Sequence, residues 1–254
     1  MSMIYDIKGK TILVTGANRG IGKALVEGFL KHGAKKVYAA VRTLSSADPL
    51  VEMHGRSRVI PIYIDLQKPR SIAEAANSAG DVQVVVNNAG VLDMVEPLSA
   101  NAMVVLQYLM EVNAYGLIHM AQQFVPILER NGGGSLVQIN STASLKCSHS
   151  SFFAYSASKH ASFAVVQGLK KSLKNTLVVS VHPGPIATDM VAQFSRRVPG
   201  GITSEPAFQV ADAIIDALRK GTFLVYPDTA SRALGKAYES FAADFIDIVE
   251  TTSD

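Results

Sequence analysis

The sequence predicts a single α/β domain built on a parallel sheet with helices on both faces. Short runs rich in Val and Ile recur along the chain, and longer stretches with helical spacing separate them, which is the pattern of repeated strand–helix–strand units. The runs are almost continuously apolar, as expected of strands that meet a helix on either side and water on neither. With 254 residues, 48% of them hydrophobic, the chain can bury roughly 70–75% of the surface it would expose when extended.

The strands fall at 11–15, 36–41, 58–64, 82–87, 135–140, 177–182 and 222–226. Between them lie helical stretches at 21–32, 71–79, 102–128, 154–173, 206–220 and 231–249. After Leu128, Asn131 and the glycines at 132–134 turn the chain toward the fifth strand. The segment at about 190–205 carries Arg196, Arg197, Pro199, Gly200 and Gly201 together and reads as a long loop, a feature of lids in compact domains. No internal repeat, low-complexity linker or composition shift divides the chain, so residues 1–254 are expected to form one domain.

Composition narrows the function classes. The net charge of +3 is spread without a basic run, which argues against nucleic acid as a partner. Asp6, Lys8 and Lys10 leave no space for a signal-peptide apolar region, and no uncharged apolar run approaches the ~18 residues of a membrane span. The one cysteine, Cys147, cannot pair within the chain, which suits a reducing compartment. A soluble cytoplasmic protein is expected. Cys147, His149 and His182 lack the spacing of metal ligands, so no metal site is assigned and their roles stay open.

Directly after the first strand, Thr15-Gly16-Ala17-Asn18-Arg19-Gly20-Ile21-Gly22 opens the first helix. Backbone N–H groups and the helix dipole at such a place favour a pyrophosphate, and glycines let the ligand approach the backbone closely. A carboxylate at the end of the second strand would bond a free ribose hydroxyl, whereas an arginine accommodates an added phosphate. Here that strand ends Ala40-Val41-Arg42 with no carboxylate, and Arg19 sits in the glycine loop. Two guanidinium groups can fork onto a phosphate, so the pattern favours NADP(H) over NAD(H).

Farther along, Tyr155-Ser156-Ala157-Ser158-Lys159 places a phenol and an ammonium four residues apart, on one helix face. One positive charge at ~4 Å, with an effective dielectric of ~20, contributes about 4 kcal/mol toward the phenolate. That equals about three pKa units, enough to bring tyrosine toward proton transfer near neutral pH.

The Thr-Gly-x-x-x-Gly-x-Gly spacing, Asn87-Asn88-Ala89-Gly90 after the fourth strand and the Tyr155/Lys159 pair together resemble the short-chain dehydrogenase/reductase family, over about residues 10–228. The resemblance implies a doubly wound Rossmann-type sheet in the strand order 3-2-1-4-5-6-7. It implies cofactor contacts from Gly16, Asn18, Arg19, Gly20, Ile21, Gly22 and Arg42, from Asn88, Ala89 and Gly90, and from Asp65 at the adenine ring with Leu66 beside it. Val181-His182-Pro183-Gly184-Pro185-Ile186-Ala187-Thr188 resembles the family's Pro-Gly motif, which puts Pro183, Gly184, Ile186 and Thr188 against the nicotinamide. It further implies a catalytic tetrad of Asn113, Ser141, Tyr155 and Lys159, with Lys159 also holding the nicotinamide ribose and Asn113 distorting its helix. For the serine, aligning the end of the fifth strand selects Ser141, and counting back from Tyr155 falls on Thr142; Ser141 is preferred.

The implied activity is hydride exchange between nicotinamide and a ketone, aldehyde or secondary alcohol, with Tyr155 as acid/base. Alternatives are a 3-oxoacyl thioester reductase of the same family and a cofactor-binding regulator without turnover. Leu92, Met94, Leu145, Phe152, Met190 and Phe194 are candidates for an apolar substrate pocket. Family resemblance also implies a homodimer or homotetramer through the long helices after the fourth and fifth strands, where Val104, Val105, Leu109, Phe163, Val165 and Val166 lie.

Overall fold

The computed structural model describes residues 4–195 and 201–245. Among them, seven strands form one sheet: β1 (Thr11–Thr15), β2 (Lys36–Val41), β3 (Val59–Tyr63), β4 (Val84–Asn87), β5 (Gly134–Ile139), β6 (Thr176–Val181) and β7 (Leu224–Val225). All neighbouring pairs are parallel, in the order β3-β2-β1-β4-β5-β6-β7. The described helices are α1 (Gly20–Lys31), α2 (Asp48–His54), α3 (Pro69–Ser78), α4 (Ala102–Met110), α5 (Gly116–Arg130), α6 (Phe153–Ser172), α7 (Asp189–Ser195), α8 (Phe208–Lys220) and α9 (Thr229–Phe245).

Strand alternation distributes the core between the two faces of the sheet. Ile12, Val14, Val84, Val86 and Val137 pack with Leu25 and Phe29 of α1 and with Val210 and Ile214 of α8. Their neighbours Leu13, Val85 and Leu136 point the other way, onto Ile72 of α3 and Met120, Phe124 and Leu128 of α5. Each central strand is thus buried on both faces, which is why its sequence is apolar throughout.

Several elements differ from the sequence expectation. Strands three, four and seven are shorter than expected, and α2, preceded by a 3₁₀ turn at Leu44–Ala47, occupies a stretch where no element was expected. Its seven residues contribute only Leu50 and Val51 to the core, too few for a visible period. The expected loop at 190–205 begins instead with α7, which buries Phe194; the Thr188 side chain accepts a hydrogen bond from the N–H of Val191 in its first turn. Arg196, Arg197, Pro199 and Gly200 lie outside the described residues, as does the end of the last helix beyond Phe245.

The long helix expected at 102–128 is two α-helices joined by a π-helical turn at Glu111–Tyr115, centred on Asn113. Gly116 follows this turn, where a Cβ would come within 2.8 Å of Leu66. After α5, Gly132 and Gly133 adopt φ of 89° and 90°, the left-handed region that reverses the chain into β5. Leu109, Phe163 and Val166 are buried within the subunit and Val105 and Val165 half-buried, whereas Met103, Val104, Tyr115 and Ile118 are exposed on α4, the π turn and α5. Among the described residues no helix is long and apolar enough to cross a membrane.

Phe124 is fully buried between α5 and the sheet, so Phe124→Ala should lower the unfolding free energy by about 3–5 kcal/mol in urea denaturation.

Candidate active site

The strands end on one edge of the sheet, and the loops that leave them line a cleft of ≈ 840 Å³. Its floor begins at the glycine loop. Gly16 and Gly20 have φ of 64° and 52°. A Cβ on Gly22 would lie 2.0 Å from the Gly16 carbonyl oxygen, so only glycine lets α1 start this close to β1. Asn18, Arg19 and Ile21 line the same end of the cleft.

The loop is held from beneath by the turn after β4. The Asn88 amide donates to the carbonyl of Thr15 at 2.8 Å, and the N–H groups of Asn88 and Ala89 both donate to the Thr15 hydroxyl at 2.9 Å. That hydroxyl donates to Asn87, whose amide donates to Gln138 of β5 at 2.7 Å. Three strand ends are joined by side chains, and Asn88, Ala89 and Gly90 face the cleft. Thr15 stood in the glycine motif but its role as junction, like Gln138 at the far end, went unassigned in the sequence, because the partners lie on distant strand ends.

Arg42 also lines the cleft, exposed, with no ion-pair partner among the described residues. Arg19 lies 3.8 Å from Asp189 at the start of α7, both largely exposed. Asp65 lines the cleft as well, but its carboxylate accepts from the N–H of Gln67 at 3.1 Å and lies 3.6 Å from Lys68, so it also shapes its turn. Leu66 is buried beside it and faces the cleft.

At the other end stand Ser141, Tyr155 and Lys159. Tyr155 is half-buried and lines the cleft with Ser141 and Thr142, and the Ser141 hydroxyl is the neighbour that favours its phenolate. Ser141 ends the segment after β5 and its oxygen also accepts from the N–H of Ala143 at 3.1 Å, capping a 3₁₀ turn. Lys159 is 4% exposed; its amine donates to the Ile139 carbonyl at 2.9 Å and sits 5.9 Å from the centre of the Tyr155 ring.

The sequence expectation is a pull by the ammonium toward phenolate; the ammonium is held by the Ile139 carbonyl. Burial dominates instead: it pushes the phenol up to about 12, against the Ser141 hydrogen bond, and the Lys159 amine down to about 8. At neutral pH Tyr155 therefore holds its proton.

Asn113 does not line the cleft; it stands behind it. Its amide donates to the Val91 carbonyl and to the Ser158 hydroxyl, both at 2.9 Å, and its oxygen accepts from the N–H of Val91 at 2.9 Å. A Cβ on Gly90 would lie 3.1 Å from that oxygen and 3.6 Å from the Lys159 amine, so glycine keeps the turn pressed against both.

The last wall is the segment after β6, with Pro183, Gly184, Ile186 and Thr188 on the cleft. A Cβ on Gly20 would meet the Thr188 methyl at 2.9 Å, so this segment lies across the glycine loop. The N–H of Gly184 donates to Asp228 at 2.7 Å, and Asp228 also accepts from Ser231 at the start of α9. Distance in sequence hid that partner. Leu92, Met94, Phe152, Met190 and Phe194 line the cleft, joined by Val191 and Ile202; Leu145 is half-buried outside it. Cys147 is exposed, with its thiol on the His149 carbonyl at 3.4 Å.

The buried amine gives a stability test. Its pKa is lower in the folded protein than the ordinary 10.5, so the ammonium opposes folding below about pH 8, and that opposition fades as pH rises toward 10.5. In urea denaturation, the stability of Lys159→Met relative to the native chain should fall by roughly 2–3 kcal/mol between pH 7 and pH 10. An unchanged difference would contradict the burial argument.

Residues 10–198 match the family model for short chain dehydrogenase. A 1-deoxy-11-beta-hydroxypentalenate dehydrogenase of Streptomyces exfoliatus is 35% identical over 89% of this chain and 86% of its own. An NADPH-dependent aldehyde reductase-like protein, chloroplastic, of Arabidopsis thaliana is 32% identical over 76% of this chain and 77% of its own. Among solved structures, a short chain dehydrogenase from Burkholderia cenocepacia J2315 in complex with NADP superposes with a TM-score of 0.81 at 32% identity, over 95% of this chain and 99% of that one. With the sheet order, the glycine loop and these likenesses together, the chain belongs to the short chain dehydrogenase family.

Proposed function

We propose that this protein is an NADP(H)-dependent oxidoreductase that interconverts a ketone or aldehyde and the corresponding alcohol, with Tyr155 as the proton-transferring group. The observation that carries the reading is one continuous cleft with a glycine cradle at one end and Ser141, Tyr155 and the buried Lys159 at the other. The cradle fits a dinucleotide: at Gly22 the backbone comes too close to its neighbour for any side chain, and the N-terminus of α1 opens onto the space above.

Gly16, Asn18, Gly20, Ile21 and Gly22 would hold the pyrophosphate, Asp65 and Leu66 the adenine side, and Asn88, Ala89 and Gly90 the middle of the cofactor. Lys159 would hold the nicotinamide ribose, and Pro183, Gly184, Ile186 and Thr188 the nicotinamide. When bound, the cofactor supplies or accepts the hydride. Tyr155 gives its hydroxyl proton to the substrate oxygen during reduction and takes one during oxidation. The Ser141 hydroxyl orients that oxygen and stabilises charge forming on it. Asn113, bonded to Val91 and Ser158, holds the helix that carries the tyrosine and lysine.

Arg42 and Arg19 support the phosphorylated cofactor. No carboxylate stands at the end of β2, and the cofactor named for the Burkholderia cenocepacia and Arabidopsis relatives is NADP or NADPH. The apolar lining from Leu92, Met94, Phe152, Met190 and Phe194 supports a substrate with hydrophobic bulk. The exposed apolar residues of α4 and α5 support a homodimer or homotetramer, and the lone cysteine supports a cytoplasmic setting.

Tyr155→Phe should lower kcat/KM by about 10²–10⁴ in NADPH oxidation with a panel of apolar ketones, while NADPH binding by fluorescence titration stays unchanged. Undiminished turnover would refute the acid/base assignment. Arg42→Asp should weaken NADPH binding by about 10–100-fold and leave NADH unaffected or improved; equal loss for both would remove Arg42 from cofactor choice.

A further inference from the structure

His182 has no part in the reading above, yet its imidazole is 0% exposed and one of its hydrogen bonds leads through Ser144 to Ser141 at the cleft. The ring meets Phe163 edge-on at 4.6 Å and lies 5.6 Å from the Tyr226 ring, so packing fixes its plane. Nδ1 lies 2.8 Å from the Ser144 hydroxyl and Nε2 2.8 Å from the Ser180 hydroxyl. The Asn140 amide donates to Ser180 at 2.8 Å, and Ser144 donates to the Ser141 carbonyl.

These bonds have one consistent direction. Ser144 spends its only proton on the Ser141 carbonyl, so it must accept from His182, and Nδ1 carries the proton. Nε2 is then an acceptor, which the Ser180 hydroxyl satisfies while accepting from Asn140. Turning the Asn140 amide over would reverse the run only if Ser144 released Ser141. The neutral state this requires is the one burial favours: burial, with the nearby Lys159 charge, brings the imidazole down to about 4, against the pull of the Ser141 carbonyl.

We infer that His182 is a positioning residue: as a neutral imidazole protonated on Nδ1, it holds the Ser141 backbone through Ser144 and so aims the Ser141 hydroxyl at Tyr155. The inference rests on the proposed role of Ser141 and Tyr155 in proton transfer. It identifies the function of a residue two chain segments away from the phenol, and it makes Asn140, Ser180 and Ser144 parts of one run of hydrogen bonds.

Two measurements test it. In the ¹⁵N-histidine NMR spectrum of the native protein, with the His182 signals identified by their loss in His182→Asn, Nδ1 should be protonated and Nε2 bare between pH 6 and 8. A proton on Nε2 would overturn the proposal without touching the assignment of Tyr155. Kinetically, Ser144→Ala and His182→Phe should each lower kcat about tenfold, the worth of about one hydrogen bond. NADPH binding should change less than twofold, and His182→Asn, which keeps a donor near the Nδ1 position, should recover most of the lost kcat. Should His182→Phe fail to fold, Ser144→Ala and His182→Asn decide the matter. Unchanged kcat in Ser144→Ala, or parallel losses of kcat and NADPH binding without recovery by Asn, would leave His182 a packing residue. Full turnover by Tyr155→Phe would instead remove the acid/base reading itself.

Discussion

The functional end of this protein depends on the saturation of a single buried hydroxyl. Thr15 closes the first strand, and its side chain accepts from the N–H groups of Asn88 and Ala89 while donating to Asn87. A hydroxyl has one proton and two lone pairs, and here all three are used. Left unpaired in the interior, such groups would each cost about 1–3 kcal/mol, so the alternative arrangements of these strand ends are penalised together. Through Asn87 and Gln138 the same bonds extend to β5, and the carbonyls of Thr15 and Gly16 are covered by Asn88. The glycine loop, the turn after β4 and the segment carrying Ser141 all leave strands that this network ties together.

Charge at the other end of the cleft follows a different rule. A phenol and an amine share one helix face, the residue half-buried in the first case and buried in the second, and the amine is bonded to Ile139 and not to the phenol. Desolvation then acts on each separately and favours the neutral form of both. Counting positions on a helix correctly places two groups side by side; it does not say which neighbour each will choose. The competitor here is a backbone carbonyl on a strand 20 residues earlier in the chain.

The features legible in the sequence were those with a period or a backbone requirement. Apolar runs located the strands because burial on both faces leaves little choice of residue, and Gly22 was legible because its neighbour's carbonyl excludes a side chain. The short helices α2 and α7 were not legible, since the two buried residues of one and the single buried residue of the other make no period. Ser141 could be preferred to Thr142 only on alignment, and both line the cleft. Thr15 beyond its motif, Gln138 and Asp228 were missed for a common reason: their partners are set by the meeting of distant strand ends, and polar residues in strands and loops carry no pattern of their own.

Asp228 shows what such a meeting implies. Its buried carboxylate is shared between the N–H of Gly184, at the wall of the cleft, and the N–H of Ser231, where α9 begins. Forty-four positions of chain separate Asp228 from Gly184, yet one side chain serves as anchor for both. The closing helix of the chain is therefore moored to the rim of the reaction chamber, and its first turn and that rim share a fixed point rather than adjusting independently.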